Sequence, residues 1–306
     1  MTMDEGRLTI DDGRLTIGST DALPGRPLPM PPIVNWQSSI DNSSIVHRQS
    51  SVQHWTLITD PVGRPGWWHM ALDLALLDEA ARTGAGFVRL YRWAPWALSF
   101  GRHEPVLRRY DRARIERLGI DTVRRPTGGR AVWHARELTY SVSGPSAALG
   151  GLAQSYRTIH ATLADAVRAL GVPATLAPAA RPLGVGSGAC FASAAGGEVL
   201  TMSRKLVGSA QFRRGDAFLQ HGSLLLEDDQ RLVAQLALEE APDGGEITLR
   251  EAANRTISFT EAAAAIAAEL GRWEGAWDEP APELDLESLA TRHAARFRDP
   301  AWTWRR

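Results

Sequence analysis

The stretch KLVGSAQFRRGDAFLQHGSLLL, residues 205–226, has the pattern of two β-strands joined by a polar turn. It nevertheless contains Lys205, Gly208 and the pair His221-Gly222, which are small or ionisable residues in strands that should fill a core. A glycine within a strand weakens it and often marks a place where another group approaches the backbone closely. The sequence therefore predicts a sheet that also lines a binding site.

Strand-like and helix-like segments alternate from Val52 onward. The clearest runs are the strands WTLIT, FVRLYRW, WALSFG and LTYSVSG and the helices WHMALDLALLDEAART and LAQSYRTIHATLADAVRALGVP. Residues 198–226 hold three further strand-like runs, and Pro95 between FVRLYRW and WALSFG predicts a hairpin or a bend. Strict βαβ repetition is missing. The pattern therefore predicts an α+β fold in which helices flank a mixed β-sheet.

The two ends of the chain complete this organisation. Residues 1–50 are rich in Gly, Pro, Ser and Asp without a sustained apolar period, which predicts a disordered extension before one domain at 51–306. Near the other end, DDQRLVAQLALEE (228–240) and the segment after the Ser258-to-Glu261 capping box predict two more helices.

Composition limits the classes of protein that this chain can represent. It has 306 residues, 44% of them hydrophobic, and a formal net charge of −1, which gives enough material for a large core and no bulk signal for nucleic-acid binding. No run approaches the roughly 18 apolar residues of a membrane helix. The single cysteine, Cys190, excludes an internal disulfide and a cysteine-based zinc cluster, and favours a reducing compartment such as the cytoplasm.

The segment RRPTGGRAVWH, residues 124–134, predicts a strand, a glycine loop and a second strand. Adjacent Gly128 and Gly129 permit positive φ angles and exposed N–H groups, while Arg124, Arg125 and Arg130 supply positive charge for a ligand carbonyl or phosphate. The segment is neither a Walker A loop nor a GxGxxG fingerprint. An ordinary glycine turn flanked by solvated arginines explains these residues equally well.

Three other side chains are candidates for chemistry. Lys205 begins a strand of small residues, which leaves room for a bound molecule, and its ammonium can bind an acyl carbonyl or phosphate oxygen. Read singly, Lys205 also fits a surface lysine, His221 a hydrogen-bonded core histidine and Cys190 a small buried apolar side chain.

Taken together and in order, five segments resemble the biotin/lipoate protein ligase superfamily, in its lipoate-ligase and octanoyltransferase branch. They are MALDLALLDEA, RLYRWAPWALSFGRHEP, VRRPTGGRAVWHARELTYSV, GACFASAAGGEVLTMSRKLVGSAQFRRGDAFLQHGSLLL and AARFRDPAWTWRR. The resemblance spans roughly residues 52–306. It implies one catalytic domain with a mixed sheet and a tunnel for a medium-length acyl chain that ends at the motif lysine.

The resemblance also implies roles for individual residues. Lys205 would hold the acyl carbonyl or its activated ester. The loop over it would contain Arg125, Gly128, Gly129 and Arg130.

The remaining implied residues line the site or its groove. His134 and His221 would line the site, and the small residues of the two strands would form the groove for about eight carbons. These small residues are Gly208, Ser209, Ala210 and Gly222.

Two reactions are open to this family, and they differ in how the acyl carbon is activated. A ligase uses ATP and Mg²⁺ to make an acyl-adenylate. A transferase needs no cofactor, because it moves the acyl group from an acyl-carrier-protein thioester onto a cysteine. Cys190, about fifteen residues before Lys205, resembles the nucleophile of the cysteine-dependent octanoyltransferases, so transfer is the predicted reaction and ATP-dependent ligation the alternative. A non-catalytic lipoate-binding protein is a further alternative.

The resemblance implies partners as well as a reaction. The acceptor would be a lysine on a lipoyl domain of a 2-oxoacid dehydrogenase or on the glycine-cleavage H protein. Neither nucleic acid nor membrane is an expected partner, and no metal site is predicted. One departure from the family pattern concerns His134, where an acidic residue often follows directly, whereas this chain places Glu137 three positions later.

Overall fold

The structure is a computed structural model that describes residues 52, 54–178, 196–227, 230–239, 245–278 and 284–305. The predicted extension 1–50 and the candidate nucleophile Cys190 lie outside these residues.

A six-stranded sheet forms the centre of the domain, in the order β10-β11-β6-β2-β1-β12. The pairs of β1 with β2 and with β12 are parallel, and the other pairs are antiparallel, which confirms the predicted mixed sheet. Its strands are β1 (His54–Arg64), β2 (Gly86–Trp93), β6 (Glu137–Pro145), β10 (Val207–Arg214), β11 (Ala217–Leu225) and β12 (Ala276–Asp278).

Two three-stranded sheets accompany the large one, in the orders β4-β3-β5 and β7-β8-β9. The first carries the glycine loop between β4 and β5, and the second carries Lys205 at the end of β9. Their strands are β3 (Ala97–Phe100), β4 (Asp121–Arg124), β5 (Val132–His134), β7 (Thr175–Leu176), β8 (Val199–Thr201) and β9 (Arg204–Lys205).

Helices cover both faces of the large sheet. One core layer lies against α4 and α7, and the other lies against α1 and α8. The helices are α1 (Gly66–Thr83), α2 (Val106–Arg109), α3 (Arg112–Arg117), α4 (Leu152–Ala169), α5 (Arg231–Gln235), α6 (Leu249–Ala253), α7 (Phe259–Leu270), α8 (Leu286–Arg298) and α9 (Pro300–Thr303).

Helix α1 is buried more completely than a one-sided helix would be. The predicted core face of Met70, Leu74 and Leu77 is buried, but so are the residues between them on the other faces. The reason is that α1 lies between the sheet and α8, so that both sides of the helix are covered. A helix that is apolar all round is expected in such a position.

Of the two predicted alternatives for the join between FVRLYRW and WALSFG, the structure has the bend, because β2 and β3 belong to different sheets. Two other local predictions need correction. Residues 198–226 contain four strands instead of three. The helix predicted at 228–240 is only α5, Arg231–Gln235, because the chain then turns to form a bridge between Ala237 and Tyr110.

None of the helices among the described residues has both the length and the apolar character needed to cross a bilayer.

Candidate active site

A cavity lies between α1 and the strands of the large sheet, beside Arg125 and strand β5. Most of its lining is apolar or small, and several polar side chains point into it from the sheet and the loop. The lining comprises Met70, Tyr91, Trp93, Arg125, Val132, His134, Thr139, Gly208, Ser209, Ala210, His221, Gly222 and Ser223. Seven residues of the sequence-based site are in this list, and Lys205, Gly128, Gly129 and Arg130 are not.

The small residues of β10 and β11 stand opposite one another in the sheet. Ser209 pairs with Gly222, and Ala210 pairs with His221. A Cβ atom at position 222 would lie 2.4 Å from the Gly208 carbonyl oxygen and 2.8 Å from a ring carbon of Tyr140. Gly222 is therefore required by close packing of the protein itself, in addition to bordering the cavity.

His221 is held at the cavity by an aspartate of α1. Its Nδ1 lies 3.1 Å from Asp73 Oδ2, and its Nε2 lies 2.6 Å from Thr127 Oγ1. Asp73 also accepts hydrogen bonds from Arg89 and from Ser141 Oγ, the latter at 2.8 Å.

The charges around Asp73 determine which ring nitrogen of His221 carries the proton. Burial opposes ionisation of Asp73, but Arg89 and the His221 hydrogen bond outweigh it and lower the pKa of Asp73 to about 2. Burial also lowers the pKa of His221, although Asp73 opposes this effect. A neutral His221 beside a carboxylate carries its proton on Nδ1, so Nε2 accepts the Thr127 hydroxyl hydrogen.

His134 forms a second buried histidine–carboxylate pair. Its Nδ1 lies 2.7 Å from Glu137 Oε1, its Nε2 lies 2.5 Å from Ser99 Oγ, and its ring stacks on Trp93 with centroids 3.9 Å apart. Glu137 thus takes the place of the acidic neighbour that this chain lacks directly after His134, because the turn at 135–136 brings it back to the ring.

Arg125 holds the glycine loop in place by hydrogen bonds to its backbone carbonyls. Its guanidinium donates to the Ser99 carbonyl at 3.0 Å and to the carbonyls of Gly128 and Arg130 at 3.1 and 2.7 Å. Gly129 has a φ of 86°, as the sequence predicted for this loop. Arg125 therefore shapes the loop as well as lining the cavity.

Arg130 does not line the cavity, and its guanidinium lies near Glu104 instead. Its Nη1 is 4.0 Å from Glu104 Oε1, and both of its terminal nitrogens are buried without a hydrogen-bond partner. Burial raises the pKa of Glu104, which is partly offset by Arg109.

Lys205 is buried, with 3% of its surface exposed, and its Nζ donates to Glu198 Oε1 at 2.8 Å. Glu198 also accepts from Tyr156 of α4 at 3.4 Å, which places the pair on the α4 side of the large sheet. The surface-lysine interpretation of Lys205 is therefore wrong.

A chain of hydrogen bonds links the α4 side to the cavity. Burial lowers the pKa of His160 on α4 to about 4, so the ring is neutral; its Nδ1 donates to the Gly197 carbonyl at 2.8 Å. His160 Nε2 then accepts from Ser209 Oγ at 2.8 Å, and Ser209 accepts from the Tyr140 hydroxyl at 2.6 Å. Because Ser209 also lines the cavity, it connects the two sides through β10.

Several of these polar residues were not identified from the sequence. Asp73 offered a signal, since it is a single carboxylate within the apolar run MALDLALL of a helix that has to be buried. Glu198 is the glutamate between Cys190 and Lys205 in the segment that carries the family resemblance, seven residues before its partner Lys205. His160 and Ser99 offered no signal, because their partners are distant in the chain.

The arrangement places an apolar slot, bordered by His134, His221 and the Arg125 guanidinium, on the α1 side of the sheet, and the buried ammonium of Lys205 on the α4 side. Such a site can bind an uncharged alkyl chain and hold a carbonyl oxygen near a positive charge, which are requirements of acyl transfer. Among the described residues, no cluster of three or more His, Cys, Asp or Glu side chains has the geometry to hold a metal ion.

Comparison with known proteins agrees with this geometry. Residues 65–271 match the family model of the lipoyl protein ligase A/B catalytic domain. The chain is 32% identical to octanoyltransferase LipM of Exiguobacterium sibiricum over 83% of this chain and 100% of that protein. It is 36% identical to octanoyltransferase LipM of Symbiobacterium thermophilum, over 83% and 99% of the two chains.

Solved structures show the same fold at lower sequence identity. Lipoate-protein ligase A bound with ATP superposes with a TM-score of 0.67 at 19% identity, over 81% of this chain and 98% of that one. A putative lipoate protein ligase from T. acidophilum with bound lipoic acid gives a TM-score of 0.65 at 19% identity, over 83% and 99%.

Proposed function

Because the chain belongs to the lipoyl protein ligase A/B catalytic-domain family, we propose that it is an octanoyltransferase of protein lipoylation. The donor is an octanoyl thioester of acyl carrier protein, and the acceptor is a lysine of a lipoyl domain or of the glycine-cleavage H protein. The observation that carries this proposal is the identity of 32–36% with relatives named octanoyltransferase LipM over nearly their full length. With such partners, the reaction belongs in the cytoplasm.

The reaction has two acyl-transfer steps with Cys190 as the nucleophile. The Cys190 thiolate attacks the thioester carbonyl, its sulfur–carbon bond forms, and the carrier thiolate leaves and takes up a proton. The neutral amine of the acceptor lysine then attacks the acyl-Cys190 carbonyl. The amide bond forms, the sulfur–carbon bond breaks, and the amine proton ends on the Cys190 thiol. A thioester suits this order because it forms readily and stays reactive to an amine.

The described residues support this chemistry in distinct ways. We assign Lys205 to the carbonyl oxygen, where an ammonium stabilises negative charge that develops in each tetrahedral intermediate. Water does not screen the Lys205 ammonium, because its side chain is buried, and Glu198 holds it in position. The loop shaped by Arg125 covers the acyl group, with Gly128 and Gly129 presenting backbone N–H groups.

The cavity gives a physical reason for an alkyl substrate. Each buried CH₂ contributes about 0.8 kcal/mol, so an octanoyl chain gains several kcal/mol from burial alone. The residues that border this chain on β10 and β11 are Gly208, Ala210 and Gly222. A larger side chain at Gly208 or Ala210 would shorten or close the slot, whereas one at Gly222 would collide with Ser209 and Tyr140.

A two-donor experiment tests the proposal. The protein is incubated with octanoyl carrier protein and, separately, with ATP, Mg²⁺ and free octanoate or lipoate; intact mass spectrometry then follows the enzyme and a lipoyl domain. We expect a gain of one octanoyl group on the enzyme, removal of that group by hydroxylamine, and its absence in Cys190→Ser.

The second arm of the experiment separates the alternatives. If Cys190→Ser modifies the lipoyl domain at the wild-type rate with ATP and free acid, the protein is a ligase and the proposal is overturned. If neither donor leads to modification, the non-catalytic binding alternative is favoured.

A further inference from the structure

Four arginines from distant parts of the chain meet beside the cavity. We call them, with the two aromatic rings between them, the arginine patch. Its members are Arg102, Arg214, Arg296, Arg305, Phe212 and Trp302.

The arginines pack against the two aromatic rings. The guanidinium carbons of Arg296 and Arg305 lie 3.7 and 4.1 Å from the centroid of the Trp302 ring. The Arg102 guanidinium carbon lies 5.2 Å from the centroid of Phe212. Arg305 also donates to the Arg102 carbonyl, which joins the group around Trp302 to the group around Phe212. Cation–π contacts fix the positions of the charges without neutralising them.

Most of the positive charge in the arginine patch is not neutralised by a carboxylate of the described residues. Arg214 pairs with Asp78, but in the part of the chain that the structure describes no carboxylate lies within ion-pair distance of Arg102, Arg296 or Arg305. Burial lowers the pKa of Arg296, and repulsion from Arg102 and Arg305 lowers it further. Arg102 Nε is in addition buried without a hydrogen-bond partner. Maintaining such a cluster is unfavourable unless an anionic partner compensates for it.

The patch adjoins the cavity along β10. Gly208, Ala210 and Phe212 alternate along the strand and therefore share one face, and the first two line the cavity. On the other side, the Arg102 backbone N–H donates to the Thr127 carbonyl at 2.7 Å, and Thr127 binds His221 in the cavity. A thioester that enters the cavity from this side would bring its carrier over the patch.

We propose that the arginine patch is the docking surface for an acidic face of the carrier protein that delivers the acyl thioester. This inference rests on the proposed function and adds the location of the donor on the enzyme. An acidic protein face fits better than a single phosphate, because the guanidinium groups are divided between two aromatic rings, Arg102 at Phe212 and Arg296 with Arg305 at Trp302. Such a surface speeds association and selects the partner by charge.

The experiment compares two double variants with equal changes of charge. Arg296→Gln/Arg305→Gln removes two charges of the patch, and Arg108→Gln/Arg117→Gln removes two exposed arginines of α2 and α3. The rate of octanoyl transfer to a lipoyl domain is measured with three donors: octanoyl carrier protein, octanoyl phosphopantetheine and octanoyl pantetheine. Thermal unfolding verifies that both variants are folded.

We expect the patch variant to lose about tenfold in kcat/KM with octanoyl carrier protein, and the control variant to lose less than twofold. With both small donors the patch variant should match the wild-type protein. Equal loss in the two variants, or the same loss with octanoyl phosphopantetheine, would overturn the inference, the latter because it would indicate a phosphate contact. Failure of the proposed function is distinct, since the wild-type protein would then transfer octanoate from none of the three donors.

Discussion

At the scale of single residues, Lys205 and Glu198 form a buried ion pair. Both side chains are 4% exposed and the charged atoms are 2.8 Å apart. Each charge stabilises the other in the interior, and removing one partner of a buried pair is strongly destabilising. The pair therefore has to be considered as a unit when Lys205 is substituted.

Substitution of Lys205 should separate stability from activity. We expect Lys205→Met to abolish octanoyl transfer and to lower the free energy of unfolding by about 3 kcal/mol, because the buried Glu198 carboxylate loses its cationic partner. The double variant Lys205→Met/Glu198→Leu should recover most of that stability and none of the activity. Urea unfolding and the transfer assay measure the two effects; activity in the double variant would refute the role assigned to Lys205.

At the scale of elements, α4 carries a hydrogen-bonded relay against the sheet. His160 on this helix is neutral in the folded protein, because burial lowers its pKa to about 4. In the unfolded chain a histidine has its ordinary pKa of about 6.5. The unfolded state therefore binds a proton that the folded state does not, at every pH between these two values.

This difference predicts a pH dependence of stability. The contribution of His160 is fully present above pH 6.5 and is lost as the pH falls toward 4, by about 3 kcal/mol. His69 and His221 have pKa values that are also lowered by burial, so they add to the same loss. We expect His160→Gln to show a shallower fall in unfolding free energy between pH 6.5 and 4 than the wild-type protein. Parallel curves from denaturant titrations at each pH would contradict the prediction.

At the scale of the whole molecule, the doublet Arg124-Arg125 joins the last helices to the site. Successive side chains of a strand point to opposite sides. Arg125 accordingly shapes the glycine loop, while Arg124 donates to the carbonyls of Gly101, Glu104, Thr303 and two neighbours. Burial lowers the pKa of Arg124 to about 10.

Removing the Arg124 guanidinium should therefore lower the stability of the whole domain. We expect Arg124→Gln to lower the free energy of unfolding by about 3 kcal/mol, because several buried carbonyls lose a charged donor at once. Arg117→Gln on the exposed side of α3 is the matched control and should change it by less than about 0.5 kcal/mol. Equilibrium denaturation measures both, and similar values for the two variants would show that the carbonyls find other donors.

The sequence by itself determined the family, the mixed α+β fold and the strands that border the cavity. Periodicity sets which residues of a strand or helix share a face. The short motifs around Gly128-Gly129, Lys205 and His221 are each visible within a few neighbouring residues of the sequence. The resemblance was confirmed by the family model over residues 65–271. The roles of Cys190 and of the other site residues stay predictions.

Only the tertiary structure decided which groups meet. Asp73 and His221 are 148 positions apart, and the buried carboxylate fixes the tautomer of the ring. Lys205 lies on the α4 side because Glu198 and α4 hold it there, and the arginine patch assembles from three separate regions of the chain. The physical reason is that a side-chain pattern specifies a face, whereas the partner on that face depends on how distant elements pack.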